Sequence, residues 1–215
     1  MSARDNILAR IRAKQGKPPA AQADELDAVN NHVAAHPQGP RPRMQADVEA
    51  RFCERALSLA TTVDEIAAEE EIPAAAARYL RTHQLPMQAA CWPQYAALDW
   101  AAQGLQVEAR PATGSDLVGI GGVFCAIAET GTLMLLSGGD THAVTSLLPE
   151  THIAVVPRRR IVAGMEDAWA LLRAKMGGMP RAVNFVSGPS RTADIEQTVT
   201  LGAHGPYRVH LLLID

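Results

Sequence analysis

Gly131-Thr132-Leu133-Met134-Leu135-Leu136-Ser137-Gly138-Gly139 is the stretch on which the fold turns. Thr132 to Leu136 runs without polar alternation between glycines, too short for a buried helix and apolar on every position. It reads as a strand covered on both faces. Downstream, Ala143–Leu148 suggests a helix, Ile153–Val156 a second buried strand, Met165–Lys175 a helix, Val183–Val186 a third strand and Val209–Ile214 a last one. Upstream, Val48–Leu59 reads as a helix, Thr61–Val63 as a strand, and Pro73–His83 as a helix with proline in its first turn. Met87–Cys91 and Gln106–Ala109 suggest strands, Ala96–Ala102 a short helix, and Gly119–Gly122 a glycine-rich stretch. Apolar strands alternating with helices predict an α/β fold, a three-layer α/β/α arrangement around a mainly parallel sheet.

Ahead of this alternation, Ile7, Leu8 and Ile11 share one helical stripe, with Ser2 or Asp5 available as N-cap. From Gly16 to Arg43 the chain thins into prolines, glycines and the acidic Asp24-Glu25-Leu26-Asp27, which reads as an arm. The division is therefore an N-terminal helix and linker, residues 1–45, and an α/β domain, residues 46–215.

Composition narrows the function. The 215 residues carry 20 Lys+Arg against 23 Asp+Glu, a formal charge of −3. That balance argues against general binding to nucleic-acid backbone. The longest basic run, Arg158-Arg159-Arg160, reads as a solvated loop. Of the 47% hydrophobic residues, 38 are alanines, and the larger side chains that remain suffice for one core. No apolar run reaches membrane-spanning length and the first residues lack the apolar centre of a signal peptide, so a soluble, cytoplasmic protein is expected. Cys53, Cys91 and Cys125 are too widely spaced for a disulfide framework, a Cys-x-x-Cys metal site or an iron–sulfur site, and read as reduced thiols, mostly buried. No cofactor is expected on this chain.

In open parallel sheets ligands bind beyond the carboxyl ends of the strands. Three loops have suitable composition. The first, Ala128-Glu129-Thr130-Gly131-Thr132, sets a carboxylate and two hydroxyls beside a glycine, with no Lys or Arg between Pro111 and Pro157. Buried there, Glu129 would serve as acid, base or nucleophile; the plainer reading has it capping a helix or bonding a loop. In the second, Ser137 to His142, Gly138 and Gly139 permit close backbone approach to a ligand and Asp140 adds a carboxylate. Asp140 and His142 alone make a weak metal site. The third runs Ser187-Gly188-Pro189-Ser190-Arg191-Thr192-Ala193-Asp194-Ile195-Glu196. Ser190 or Thr192 suits a helix cap or an oxyanion, and Arg191 a carboxylate or phosphate. Asp194 and Glu196, two residues apart, point apart on a helix and suit its polar first turn. His204, flanked by Gly202 and Gly205, precedes the last strand and is placed to meet this third loop. Gly119-Ile120-Gly121-Gly122-Val123-Phe124 lacks the last glycine of a dinucleotide fingerprint.

Ala126 to Leu133 with its Glu129-Thr130-Gly131, Leu148 to Val156, Ser187 to Glu196, and Gly202-Ala203-His204-Gly205-Pro206 together resemble the LUD-domain family, over about Arg51 to Asp215. The resemblance is to its small members without cluster ligands. It implies a part in bacterial L-lactate oxidation to pyruvate alongside two lactate-utilization partner proteins, one Cys-rich and one carrying iron–sulfur clusters. It also implies the fold shared by sugar-phosphate isomerases and coenzyme A transferases, some of which use a Glu-x-Gly glutamate as nucleophile. Relatives are expected to read Ser-Gly-Pro-Glu-Thr-Pro where this chain has Ser137 to His142. The leading expectation is a subunit of a lactate-oxidising complex whose three loops form a pocket for a small carboxylate or phosphate. The alternatives are an acyl- or coenzyme A-transferring enzyme using Glu129, or a sugar-phosphate binder.

Overall fold

The computed structural model describes residues 2–43, 46–193 and 198–215. These fall into two compact units, Met1–Pro42 and Arg43–Asp215.

In the first unit, α1 (Ala3–Lys14) starts at Ser2, whose hydroxyl accepts the Asp5 N–H while the Asp5 carboxylate accepts the Ser2 N–H. The segment read as an arm contains a second helix, α2 (Ala23–Ala35). Asp24 and Glu25 of the acidic run belong to its first turn, where carboxylates meet the positive end of the helix dipole. Glu25 ties the two helices, lying 2.6 Å from Arg12 and 2.9 Å from Lys17. The Arg12 hydrogen bond, with Lys17 behind it, brings its carboxyl down to about 2.

The second unit opens with α3 (Val48–Ser58), capped by Asp47 accepting the Ala50 N–H. There follow β1 (Thr62–Ile66), α4 (Ile72–Thr82), β2 (Gln88–Cys91), β3 (Gln106–Ala109) and β4 (Val118–Gly122). Then come β5 (Cys125–Ile127), β6 (Thr132–Leu136), α5 (Ala143–Leu147), β7 (Thr151–Pro157), β8 (Ile161–Val162) and α6 (Met165–Lys175). The chain ends with β9 (Val183–Val186), the short β10 (Arg191–Thr192) and β11 (Thr200–Leu201), and β12 (Arg208–Ile214). Two isolated 3-10 turns, Pro93–Tyr95 and Ala101–Gln103, replace the helix expected at Ala96–Ala102.

Six strands form one sheet in the order β1-β12-β7-β4-β2-β3, every pairing parallel. This is the expected α/β architecture. Its α4 side buries Ile120, Ile153, Val155, Leu212 and Ile214 against Ile72, Ala76 and Leu80. On the other side Ala154, Val156, Leu211 and Leu213 meet Phe52 and Ala56 of α3 together with a second sheet, β8-β5-β6-β9.

That second sheet holds the strand that opened the sequence reading. β6 pairs antiparallel with both β5 and β9, so Thr132–Leu136 and Val183–Val186 stand outside the parallel sheet expected for them. Leu133 and Leu135 face the large sheet, whereas Met134 and Leu136 face Ala168 and Leu172 of α6. An unbroken apolar run reports cover on both faces and is silent about strand direction.

The glycines of β4 are explained by close approach. A Cβ on Gly119 would stand 1.8 Å from the Thr145 carbonyl oxygen of α5, and one on Gly121 would crowd the Trp92 indole at 3.1 Å. The stretch is thus a central strand thinned so that α5 and Trp92 can lie on it. Because the Thr145 obstacle is backbone, Gly119→Ala is expected to cost about 3 kcal/mol, read as a lowered urea midpoint.

On the neighbouring strands β7 and β12 His152 pairs with Val209 and His210 with Ile153, one register step apart and so on opposite faces of the sheet, and both are buried. Burial pulls each imidazole down to about 4, although Asp64, 3.9 Å from His210, opposes the shift there. Unfolded imidazoles titrate near about 6.5. Between those values the unfolded chain takes up protons that the folded chain refuses, so stability is full above the upper value and is lost as pH falls toward the lower. Unfolding in urea at stepped pH should show this loss. His152→Leu, which removes one of the two groups, should reduce the slope by up to about 1.4 kcal/mol per pH unit.

Candidate functional site

Glu129-Thr130-Gly131 is the turn of the β5–β6 hairpin, not a loop leading from a parallel strand into a helix. Gly131 adopts the left-handed backbone that hairpin turns require and donates its N–H to Ile127 O at 2.9 Å. It also packs on α3, where a Cβ would lie 2.7 Å from the Ala56 nitrogen. Glu129 is half-buried and its carboxylate accepts the Met165 N–H at 3.2 Å, at the start of α6. Thr130 and buried Thr132 share a hydrogen bond of 2.7 Å, and Thr132 shares one of 2.6 Å with Ser187. A chain of three hydroxyls therefore joins the first loop to the third.

The third loop grips the end of α3. Gly188, with φ of +73°, lies so close to Leu59 that a Cβ would be 2.6 Å from its carbonyl oxygen, and Arg191 donates to that same oxygen at 3.0 Å. Ser190 organises the turn before β12. Its N–H donates to Pro206 O at 2.8 Å, its carbonyl accepts the Gly202 N–H at 2.9 Å, and its hydroxyl accepts the His204 N–H at 3.3 Å. Gly205 lies against it, a Cβ there reaching 3.3 Å from Ser190 Cβ. Where a helix was expected after Ser190, Arg191 and Thr192 form β10, paired antiparallel with β11. Asp194 and Glu196 lie outside the described residues.

The second loop lies elsewhere. Ser137, Gly138 and Thr141 line a cleft of about 560 Å³ beyond the carboxyl ends of β2, β4 and β7. Gly139 and Asp140 are exposed and do not line it. The Thr141 hydroxyl donates to Leu136 O at 2.8 Å, and the Trp92 indole N–H to His142 O at 3.1 Å. Its lining also includes Glu69, Trp92, Gln94 and Tyr95, which sequence reading passed over, and Arg159 and Arg160, which it took for a solvated loop.

Among the described residues the three loops consequently do not converge on this cleft. Glu129, Thr130, Gly131, Thr132, Ser187, Gly188, Ser190, Arg191, Thr192, His204 and Gly205 do not line the cleft; Gly138 does. The Ser190 and Pro206 contacts sit where β12 and β7 begin, while the cleft sits where β7 ends. Seven residues of β7 separate those edges by roughly 20 Å. The first two loops follow β5 and β6 and the third follows β9, strands of the second sheet rather than of the parallel one. Applied to β1, β2 and β7, the carboxyl-end rule leads to Glu69, to Trp92–Tyr95 and to Arg159–Arg160.

Electrostatics separate the three consecutive arginines. Arg158 is ion-paired with Glu49, with Glu65 at 2.6 Å and with Asp215 at 2.8 Å, the last a charge contact rather than an aligned hydrogen bond. Arg159 reaches only the main-chain oxygen of Asp215 at 3.4 Å, and Arg160 the carbonyls of Val123 at 2.9 Å and Phe124 at 3.3 Å. Burial pushes the Tyr95 phenol up, with Glu69 adding to it, so the cleft holds a protonated hydroxyl. Cys91 and Cys125 are buried, their thiols pushed up to about 11 by desolvation, and Cys53 is half-buried. Among the described residues no group of three His, Cys, Asp or Glu side chains is placed to hold a metal ion.

If Glu129 acts as the cap of α6, its substitution should be read in stability. Glu129→Gln, which keeps an acceptor but loses the charge at the helix start, is expected to cost about 0.5 kcal/mol, and Glu129→Ala about 1 kcal/mol, in chemical unfolding.

Lactate utilization protein C 1 of Bacillus mycoides is 44% identical over 92 residues, 41% of this chain and 39% of that protein. Lactate utilization protein C of Bacillus subtilis is 38% identical over 92 residues, 41% and 38% of the two chains. The match thus spans about two fifths of the length of these curated relatives. The crystal structure of a DUF162 family protein from Deinococcus radiodurans superimposes with a TM-score of 0.60 at 25% identity, covering 81% of this chain and 100% of that one. No described helix is long and apolar enough to cross a membrane. The LUD domain model matches residues 45–214, nearly the whole α/β unit, and the chain belongs to the LUD domain family.

Proposed function

We propose that this chain serves L-lactate utilization, the oxidation of L-lactate to pyruvate, as a cytoplasmic component without a redox group of its own, working with two partner proteins, one Cys-rich and one iron–sulfur. The observation that carries this reading is the identity of 44% and 38% with lactate utilization C proteins, together with a family match across the α/β unit. The donor set supports giving the electron carriers to other chains. Cys91 sits in the apolar cluster on the α4 side and Cys125 in the one under α6, each protonated, whereas cluster ligation needs grouped thiolates.

Acyl or coenzyme A transfer through Glu129 draws less support. Its carboxylate is engaged by the Met165 N–H and does not line the cleft.

In a host with no other lactate dehydrogenase, deleting the gene should abolish growth on L-lactate and spare growth on pyruvate. Complementation with wild type or Glu129→Ala should restore it. Unimpaired growth of the deletion strain on L-lactate would overturn the proposal.

A further inference from the structure

We propose that the cleft beyond β2, β4 and β7 binds a doubly charged organic anion, a phosphate monoester or a dicarboxylate, through Arg159 and Arg160.

Size is the first argument. At about 560 Å³ the cleft falls among ligand-sized sites, roughly 300–1,000 Å³, and exceeds a three-carbon acid several-fold. Position is the second, since the carboxyl ends of parallel strands are where such sheets take ligands.

Charge is the third. Arg158 spends its charge on the Glu49, Glu65 and Asp215 side chains, leaving Arg160 to main-chain carbonyls and Arg159 to the main-chain oxygen of Asp215 at 3.4 Å. Among the described residues neither Arg159 nor Arg160 pairs with a side-chain carboxylate, and each guanidinium has five donors, of which few are used. Glu69 is the one side-chain carboxylate among the described residues that line the cleft. A monocarboxylate such as lactate satisfies one planar fork and leaves the second charge and most of the volume unmatched.

The lining completes the argument. Gly122 has no side chain where a Cβ would press to 2.9 Å from the Tyr95 hydroxyl, and Gly138 none where it would meet the Thr141 hydroxyl at 2.7 Å. Both hydroxyls therefore lie against bare backbone at the cleft. Val123, Phe124, Leu136 and Val155 supply an apolar wall for the uncharged body of the ligand.

Isothermal titration of the full chain with glycerol 3-phosphate, adenosine monophosphate, L-malate and L-lactate tests this. At least one dianion should bind saturably, about tenfold or more tighter than lactate, and which one binds distinguishes the phosphate from the dicarboxylate. Arg159→Gln should weaken that dianion about tenfold, Arg159→Gln with Arg160→Gln further, and Glu69→Gln should tighten it. The opposite signs keep the test sound if the double variant, which loses a contact to Val123, folds poorly. Lactate binding as tightly as every dianion, no dianion binding at millimolar concentration, or affinity unmoved by both Arg159→Gln and Glu69→Gln would overturn the proposal. It does not rest on the lactate reading: a lactate-growth defect without dianion binding removes this inference alone, and dianion binding without the defect removes the other alone.

Discussion

The six-stranded parallel sheet has two apolar faces, and on one of them most of the cover is another sheet. Ala154, Val156, Leu211 and Leu213 from one side meet Ala126, Ala128, Leu133 and Leu135 from the other. Sheets packed in this way stand about 10 Å apart, a gap that leucines and valines fill and alanines let close. Each fully buried leucine there contributes about 1.5–3 kcal/mol, so no single loop interaction in the molecule competes with this interface. Much else follows from it. The small sheet must be covered in turn, which α6 does with Ala168 and Leu172. Its hairpin must also clear α3 on the shared face, which Gly131 makes room for.

The same packing gives the domain two unlike ends. Where β7 and β12 begin, backbone and hydroxyl contacts stitch the third loop to the end of α3, to the β5–β6 hairpin and to the turn before β12. Where β7 ends, the strands open onto a cleft with two arginines that pair with no side-chain carboxylate among the described residues. The segments most distinctive as sequence, Gly188-Pro189-Ser190-Arg191-Thr192 and Gly202-Ala203-His204-Gly205-Pro206, belong mainly to the stitched end. Distinctive sequence there reflects dense, specific backbone geometry, such as two left-handed glycines at Gly188 and Gly202, as readily as it would reflect chemistry.

What could be read from residues alone was what local physics decides. The apolar runs located Thr132–Leu136, Ile153–Val156 and Val209–Ile214, and Pro73 located the first turn of α4. Strand direction was illegible, because burial on both faces gives β6 and β7 the same pattern although one is antiparallel and the other parallel to its neighbours. The cleft was illegible for a related reason. Its lining residues lie on six segments between Glu69 and Met176 whose proximity is made by the strand order, which no local pattern encodes. Glu129 was legible in its plainer reading, for a carboxylate with no nearby cation in sequence found a helix start instead.

Arg158-Arg159-Arg160 shows how far local identity falls short. The three form one 3-10 turn directly after β7, and that helix has 3.0 residues per turn, so consecutive side chains splay by about 120°. Identical residues are thereby sent in three directions. Arg158 turns toward the edge where α3 begins and β1 and β12 end, and binds Glu49, Glu65 and Asp215. Those partners are well exposed, so each pair contributes at most about 1 kcal/mol, and the cluster matters less for stability than for where it leaves charge. By gathering three carboxylates onto one guanidinium, it withholds them from the next two. The basic run that sequence presents as a solvated loop is, in three dimensions, one residue outnumbered by carboxylates and two cations lining a cleft.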